Sequence, residues 1–418
     1  MKSQVDSAAS PDAGIRAQFE LYTPQTGHPD WEAVHADALE LAEVIRPRLT
    51  PPPSRWRDMR RQMRSYATLV HNHLANMLLA RKGRHDLWPL YFLWTTHRNC
   101  NFRCTYCDDH RENRYPDLAD EGALTTDEAC RLLRILRTRI PSALFSGGEP
   151  TLRDDLPQIT RRARELDYFP IIIDTNGSLV HRLLREPAWS TWLADLDHLV
   201  VSLDSLDCAV LTQMWDYPRS EEIVRNILLL RELSREHRFQ LMISTVVQPG
   251  FIQDAREVLD FSNDLGLCFC PMPSNIGSSI DRRLLEDPGY LHLVDMIIER
   301  KRAGFPVAGS ERLNRRMMTA VPLQCRNTIK PHIDHKGYLW WPCNACTGIE
   351  PVKVRVLDHR RVEELYAQAV GLIDPTGFQD VCGGHCNWSQ HYTTDAYVDG
   401  LNHPRRLISE ITRFIRNT

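Results

Sequence analysis

The sequence predicts an α/β protein built on a parallel β-sheet, because short apolar runs alternate with amphipathic helical stretches between residues 90 and 270. Six of these runs have the length of strands, and the segments between them have helical spacing. Six βα units are too few for a complete eightfold barrel, so a partial barrel or an open doubly wound sheet is expected. The alternation stops near residue 305, where the sequence becomes rich in Cys, Gly and Trp.

Each element follows from its local pattern. The predicted strands are Tyr91–Thr95, Ala143–Phe145, Ile171–Asp174, Leu199–Leu203, Leu241–Val247 and Leu267–Cys270. The helical stretches between them are Thr126–Thr138, Leu156–Leu166, Ser220–His237 and Ile252–Leu265. Two more helices are predicted upstream, at Asp30–Leu49 and Trp56–Leu79. We therefore expect an N-terminal helical extension (1–85), an α/β domain (86–304) and a small Cys-rich module (305–418).

Composition excludes several classes of protein. With 418 residues, 42% of them hydrophobic and 25% charged, the chain can bury a sizeable core. The 51 Lys and Arg nearly balance the 54 Asp and Glu, so no nucleic-acid partner is expected. No run approaches the ~20 apolar residues of a transmembrane helix, and the N-terminus shows no apolar signal-peptide core. We expect a cytoplasmic protein, in which clustered cysteines bind metal more often than they form disulfides.

The second N-terminal helix is unusually rich in arginine at its start. Only Asp58 offsets its cluster of basic residues, which comprises Arg55, Arg57, Arg60, Arg61 and Arg64. One interpretation is a solvated helix face that packs on the next domain. The other is contact with an anionic lipid or a phosphorylated substrate, which would bring the protein to a membrane surface.

Three cysteines follow the first predicted strand in the pattern C-x₃-C-x₂-C. A loop leaving a strand end can place Cys100, Cys104 and Cys107 around one four-iron cluster, and three ligands leave one iron open. A zinc ion is the alternative, with His97 or His110 as the fourth ligand that zinc requires.

These residues resemble the signature of the radical S-adenosylmethionine (SAM) superfamily, with Tyr106 in the aromatic position of the cysteine loop. The segment Ser146–Pro150 follows the second strand, where that family carries its Gly-Gly-Glu-Pro motif. Segments 175–177 and 202–205 end the next two strands, and both are similar to strand ends in the branch with C-terminal auxiliary clusters. The resemblance covers residues 90 to 300. It implies a partial (β/α)6 barrel and a [4Fe–4S] cluster that binds SAM.

The resemblance also implies which residues contact SAM. Gly147 and Gly148 leave the backbone bare, so that a ligand can approach closely. In the family this stretch binds the amino group of the methionine moiety. Ser202 and Asp204 are suited to ribose hydroxyls, or alternatively cap the next helix. The expected cofactor contacts are Tyr106, Gly147, Gly148, Glu149, Pro150, Asn176, Ser202 and Asp204.

A second group of cysteines lies in the C-terminal part of the chain. Residues 332–341 are predicted to form a hairpin with its turn near Lys336 and Gly337. This segment resembles the opening of the SPASM and twitch modules of the family, in which a hairpin brings its two flanking cysteines, here Cys325 and Cys343, together. With Cys382 and Cys386, the resemblance implies one auxiliary [4Fe–4S] cluster with four protein ligands. Cys346 and His385 are surplus candidates, and a zinc knuckle is the alternative.

The resemblance implies an enzyme that cleaves SAM reductively and abstracts hydrogen from an unactivated carbon of a small molecule or peptide. A fully ligated auxiliary cluster suits electron transfer, so net oxidation is the expected outcome. An external donor such as flavodoxin or ferredoxin would supply electrons. The alternatives are a lipid or lipid-linked sugar substrate at a membrane surface, a redox-neutral epimerisation with Cys346 as hydrogen donor, and a zinc-binding module without turnover. The sequence identifies neither the substrate nor a catalytic side chain.

Overall fold

The computed structural model describes residues 29–107, 122–345 and 350–403. Two residues singled out above, His110 and Cys346, lie outside these ranges. The strands, in chain order, are β1 (Tyr91–Thr95), β2 (Ser142–Ser146), β3 (Ile171–Thr175), β4 (His198–Ser202), β5 (Gln240–Val247), β6 (Cys268–Pro273), β7 (Asn275–Ile276), β8 (Ser279–Ile280), β9 (His332–Ile333), β10 (Tyr338–Trp341) and β11 (Val352–Arg355).

The helices surround this sheet and precede it. They are α1 (Trp31–Ile45), α2 (Arg55–Arg81), α3 (Thr126–Leu136), α4 (Leu156–Glu165), α5 (Val180–Leu183), α6 (Trp192–Asp195), α7 (Cys208–Trp215), α8 (Glu221–His237), α9 (Ile252–Asp264), α10 (Arg282–Glu286), α11 (Pro288–Arg302), α12 (Glu311–Met318), α13 (Val362–Leu372), α14 (Phe378–Cys382) and α15 (Ser389–Asn402). No helix of the described ranges is both long enough and apolar enough to cross a membrane.

The first six strands are parallel, and each pairs with the next one in the chain. An open doubly wound sheet would reverse its strand order at a switch point, and this sheet does not. A singly wound order that ends at β6 without returning to β1 is that of a partial barrel. The predicted α/β fold class, a partial (β/α)6 barrel with helices N-terminal to it, is confirmed.

The two faces of the barrel strands differ in accessibility. On β3, Ile171 and Ile173 are fully buried under the helices, whereas Ile172 and Asp174 on the opposite face are partly accessible. Strand β5 shows the same alternation. Because successive side chains of a strand point to opposite faces, the partly accessible set lines the interior of the barrel.

The C-terminal hairpin continues the barrel sheet. Strand β9 pairs in parallel with β1, with Leu93 opposite His332, and β10 and β11 add antiparallel strands beyond it. The turn lies at the predicted place, where Asp334 accepts backbone hydrogen bonds from Lys336 and Tyr338. The Cys-rich segment, which the sequence suggests is a separate module, thus shares a strand pairing with the barrel.

Candidate functional site

The first cysteine group lies on the loop that follows β1, at the carboxyl end of the barrel strands. Its three thiols, Cys100, Cys104 and Cys107, are half-buried and close enough for their charges to interact. The aromatic ring of Phe102 lies between them in sequence and packs on Trp215 and Tyr217, with ring centroids 5.3 and 4.4 Å apart. The loop therefore packs on the C-terminal end of α7 and is not a free surface loop.

The glycine motif after β2 packs directly against the start of this loop. The amide of Gly148 donates to the carbonyl of His97 at 3.0 Å, and the amide of Glu149 donates to the carbonyl of Asn99 at 2.8 Å. A Cβ atom on Gly148 would lie 2.1 Å from the Asn99 carbonyl oxygen, which no side chain tolerates. The glycines therefore permit close backbone contact with the cysteine loop, in addition to any approach of a ligand.

The side chain of Glu149 is directed into the protein. It is almost fully buried and accepts four hydrogen bonds, from the amide and hydroxyl of Thr151, the hydroxyl of Thr175 and the amide of Asn176. Pro150 starts the short 3₁₀ turn that carries Thr151. The carboxylate thus ties the end of β3 to the glycine motif, while the backbone of residues 147–149 remains beside the cysteine loop.

A second network connects β3 to the cysteine loop through side-chain amides. Asn176 donates to the Asn101 side-chain oxygen at 2.9 Å, and Asn101 donates in turn to the Ser178 hydroxyl at 2.9 Å. Asn176 also bonds to the thiol of Cys100. The predicted residue Asn176 therefore lies at the site, and Asn101 and Ser178 are members that the sequence did not reveal.

The residues at the end of β4 form the opposite wall. Asp204 is buried and accepts hydrogen bonds from the Tyr106 hydroxyl, the Trp215 indole at 2.9 Å and the amide of Val246 at 2.8 Å. Burial raises the pKa of Asp204 and of Tyr106. Ser202 is the half-buried last residue of β4. The structure therefore brings Tyr106 and Asp204 into direct contact beside the cysteines.

The thiols of this group are suited to a metal cluster. Burial raises the pKa of Cys100 to about 12 and raises that of Cys104 as well, so neither ionises unaided at neutral pH. Binding to iron drives deprotonation, because the ligand is the thiolate. His97, the zinc ligand considered above, directs Nε2 to the carbonyl of Glu149 at 2.6 Å. The three thiols therefore fit a cluster held by cysteine alone.

The second cysteine group surrounds a single cavity at the other end of β1. All four predicted ligands, Cys325, Cys343, Cys382 and Cys386, line it. Hydrogen bonds reach its sulfur atoms from the amide of Ala345 at 3.3 Å and the hydroxyl of Thr394 at 3.5 Å. Such donors are typical of iron–sulfur sites, where they tune the cluster potential. Among the described residues, no three His, Cys, Asp or Glu side chains converge at the distances of a single metal ion.

Two cationic or basic side chains accompany these thiols. Lys330 is 1% exposed, so burial lowers its pKa, and the charges of Cys343, Cys325 and Cys386 oppose this effect by favouring the ammonium form. The ring of His391 lies between two of the thiols, with Nδ1 3.0 Å from the Cys386 sulfur and Nε2 4.0 Å from the Cys343 sulfur. Burial raises the pKa of Cys325 to about 11 and of Cys386 to about 12, so a nearby positive charge favours their ionised forms.

His385, which the sequence offered as a possible ligand, is exposed and does not line the cavity. His391 of α15 does line the cavity, although no sequence pattern predicts this position. Lys330 was missed for the same reason, because a single lysine after a 3₁₀ turn has no distinctive pattern. Only the fold places either residue beside the cysteines.

The barrel interior runs between the two cysteine groups. Asp174, near the end of β3, accepts a hydrogen bond from Ser146, and burial raises its pKa to about 7. Tyr91, at the start of β1, is hydrogen-bonded to Thr393 and lies within the electrostatic influence of both Cys325 and Asp174. A carboxyl on the interior face of a barrel that titrates near neutrality is typical of a substrate-binding or catalytic group. No sequence pattern indicates a role for Asp174.

Comparison with protein-family models identifies residues 94–261 as a match to the radical SAM superfamily. The chain is 36% identical over 115 residues to the Fe-coproporphyrin III synthase of Methanosarcina barkeri, covering 27% of each protein. It is 33% identical over 184 residues to the GTP 3′,8-cyclase of Streptomyces coelicolor, covering 42% of this chain and 51% of that protein. The chain thus matches between about a quarter and a half of the length of these relatives.

The fold is similar to that of a solved structure, Streptococcus suis SuiB bound to S-adenosylmethionine. The two share 20% sequence identity with a TM-score of 0.53, over 70% of this chain and 67% of SuiB. At this identity the similarity establishes the fold alone. The family match begins near the end of β1 and stops within α9, so it contains the first cysteine loop, the glycine motif and the ends of β3 and β4.

Proposed function

This chain is a member of the radical SAM superfamily, and we propose that it is an enzyme that reductively cleaves S-adenosylmethionine to abstract hydrogen from an unactivated carbon of a substrate in the barrel. The observation that carries the proposal is the cysteine loop after β1, which is fixed on one side by Gly148 and Glu149 and on the other by Trp215. When bound, the cluster would supply the electron for the reductive cleavage of SAM.

The roles of this chain's own residues follow from their positions. Cys100, Cys104 and Cys107 would hold the cluster. The backbone of residues 147–149 would receive the methionine amino group, with Glu149 holding that backbone in place through Thr151 and Thr175. Asn176, Ser202, Asp204 and Tyr106 would form the wall around the nucleoside. This arrangement keeps the reacting carbon at the carboxyl end of the strands, where barrel enzymes bind substrate.

The substrate would occupy the interior between the two cysteine groups. Asp174 would bind a cationic or hydroxyl group of a small molecule or peptide, since its carboxyl faces that space and titrates near pH 7. At the end opposite the cysteine loop, Tyr91 is hydrogen-bonded to Thr393 of α15.

The second cysteine group would hold an auxiliary [4Fe–4S] cluster, as in the SPASM and twitch modules. Cys325, Cys343, Cys382 and Cys386 line one cavity with donors aimed at their sulfurs, which supports this assignment. A cluster with four protein ligands would accept the electron left on the substrate, so net oxidation is the favoured outcome. The protein would act in the reducing cytoplasm and receive electrons from a flavodoxin or ferredoxin.

Anaerobic reconstitution with iron and sulfide tests the proposal. The reduced protein, given SAM, should release 5′-deoxyadenosine and methionine, measured by chromatography. The triple replacement of Cys100, Cys104 and Cys107 by Ala should abolish this release. Cys130→Ala is the matched control, because that thiol is also half-buried but lies on α3. A zinc protein without turnover would remain colourless and release neither product, which would contradict the proposal.

A further inference from the structure

Helix α2 is attached to the protein by its polar face. Its buried residues are Arg61, Ser65, Asn72 and Asn76, which recur on one side of the helix. Ordinary surface helices bury an apolar stripe and expose polar residues. In α2 this arrangement is reversed, because the polar face is buried and the apolar face is exposed.

The polar contacts are specific and fully directional. The Asn72 amide donates to the carbonyls of Pro89 and Arg139 at 2.7 and 2.8 Å. Asn76 donates to the Trp88 carbonyl at 2.9 Å and accepts from the Trp88 amide at 2.7 Å. At the other end of the helix, Arg61 is paired with Asp197 and donates to the Tyr168 carbonyl. These bonds fix the rotation of the helix about its own axis.

The outward face of α2 carries a continuous apolar stripe. Half of the large apolar side chains that are exposed in the described ranges belong to this one helix. They recur at intervals of three or four residues and are Trp56 (70% exposed), Met59 (44%), Met63 (64%), Tyr66 (48%), Val70 (56%), Leu74 (53%) and Leu78 (58%). The stripe runs the length of the helix, about 33 Å at 1.5 Å per residue. Exposed apolar patches of this extent mark binding surfaces.

The charges beside the stripe are of one sign. Arg55, Arg57 and Arg60 are exposed near its first turns, and they form no ion pair within the described ranges. The only carboxylate of the helix, Asp58, is turned inward to Arg164. An apolar stripe flanked by arginines without ion-pair partners is complementary to a surface in which an apolar layer lies beneath a layer of anionic groups.

We propose that α2 is a membrane-surface helix, which lies on an anionic lipid bilayer with its apolar stripe in the headgroup–acyl boundary. Trp56 and Tyr66 have the amphipathic rings that favour this boundary. The helix would lie in the plane of the membrane, because its apolar stripe runs along one side over almost its whole length. The barrel would then be held at the membrane surface through the polar inner face of α2, which stays bonded to the protein.

A second copy of the chain is a poorer occupant of this stripe. Two α2 helices packed face to face would place Arg55, Arg57 and Arg60 against a partner face that offers no carboxylate from its own helix. Buried or crowded like charges oppose such an interface. Each arginine instead strengthens the binding of the protein to an anionic bilayer, by about fivefold per charge.

Vesicle co-sedimentation of the full chain tests the proposal. The protein should bind vesicles of phosphatidylcholine mixed with phosphatidylglycerol and should be released by high salt. Replacing Arg57 and Arg60 by Gln should weaken binding by roughly 30-fold. Met63→Glu with Leu74→Glu should reduce binding at least as much. The matched control is Leu291→Glu with Leu372→Glu, which alters two exposed leucines on α11 and α13 and should leave binding unchanged.

All of these positions are exposed, so an unchanged melting temperature will verify that each variant folds. Absence of vesicle binding, or equal binding by the Met63/Leu74 variant, would overturn the proposal. A dimer in solution that Met63→Glu dissociates would assign the stripe to a second copy instead. Retention of an acidic electron-transfer protein through Arg57 and Arg60, without vesicle binding, would also overturn it. None of these results depends on the catalytic assignment.

Discussion

The two cysteine groups lie at opposite ends of the same strand and differ in how their thiols are enclosed. At the carboxyl end of β1, three half-buried thiols lie on a loop held by backbone contacts and by a wall of strand ends. At the amino end, four thiols line a cavity beside Lys330 and His391. Tyr91 and Thr95, which mark the two ends, are about 13 Å apart along the strand.

The difference indicates that the two cysteine groups are suited to different roles. A group with three cysteines leaves one iron of a four-iron cluster without a protein ligand, which suits it to exchange a ligand during turnover. A group with four cysteines, hydrogen-bond donors and a buried cation is suited to hold charge without changing ligands. The first group would therefore be the reactive centre and the second group the electron acceptor. They lie at the two ends of β1, with the barrel interior between them.

The largest expected effect separates the two groups completely. Replacing Cys343 and Cys386 by Ala should remove roughly four irons per chain and abolish product formation. Reductive cleavage of SAM should continue, because the first group is at the other end of β1. Iron analysis, 5′-deoxyadenosine release and product assay together decide the outcome. Loss of all iron would contradict the independence of the two groups.

The glycine motif provides a more local way to disrupt the first group. In Gly148→Ala the new methyl group would collide with the carbonyls of Arg98 and Asn99, so the cysteine loop must move. We expect a loss of about 3 kcal/mol of stability and a large drop in cluster occupancy at the first group alone. Gly371→Ala is the matched control, because a Cβ there meets no atom within 4 Å. Normal iron content in the Gly148 variant would show that the contact is not critical.

The pH dependence of turnover reports on the interior between the groups. Burial raises the pKa of Asp174 to about 7, so the carboxylate form grows as pH rises through that value. If the carboxylate binds substrate, the apparent affinity should increase from pH 6 to pH 8, by about tenfold. Asp174→Asn should remove this dependence while SAM cleavage without substrate stays unchanged. A pH profile that persists in the Asn variant would assign it to another group.

The smallest expected effect concerns the cation beside the second group. Lys330→Met keeps the length of the side chain but removes a positive charge near Cys325, Cys343 and Cys386. The reduced cluster would lose stabilisation, so its midpoint potential should fall by roughly 60 mV, equivalent to about 1.4 kcal/mol for one electron. Redox titration followed by electron paramagnetic resonance measures this shift. Lys336→Met, an exposed lysine on the β9–β10 turn, is the control and should leave the potential unchanged.

Local sequence patterns predicted the barrel strands and the first cysteine group, whereas the grouping of the second set of cysteines was implied by the family resemblance. The six parallel strands follow from apolar runs, and β1 lies at Tyr91–Thr95 as predicted. The hairpin follows from the turn at Gly337, which has φ +79°. These features depend on residues that are neighbours in the chain, so their pattern is visible without the fold.

Contacts between distant segments had no such pattern. The pairing of β9 with β1 joins residues more than 230 positions apart and carries only two register pairs. Asp174, Lys330 and His391 are single polar residues, and only burial among partners from other segments gives them a role. The inward direction of Glu149 depends in the same way on Thr175 and Asn176 from the next strand.

The pairing between β1 and β9 also protects the barrel. Strand β1 has the apolar sequence Tyr-Phe-Leu-Trp-Thr and would be an edge strand if residues 305–418 were removed. An exposed, apolar edge with unpaired amides is a template for pairing with other chains. The C-terminal hairpin therefore acts as a cover against aggregation, and a fragment that ends at residue 304 would carry a bare edge at the strand leading to its cysteine loop.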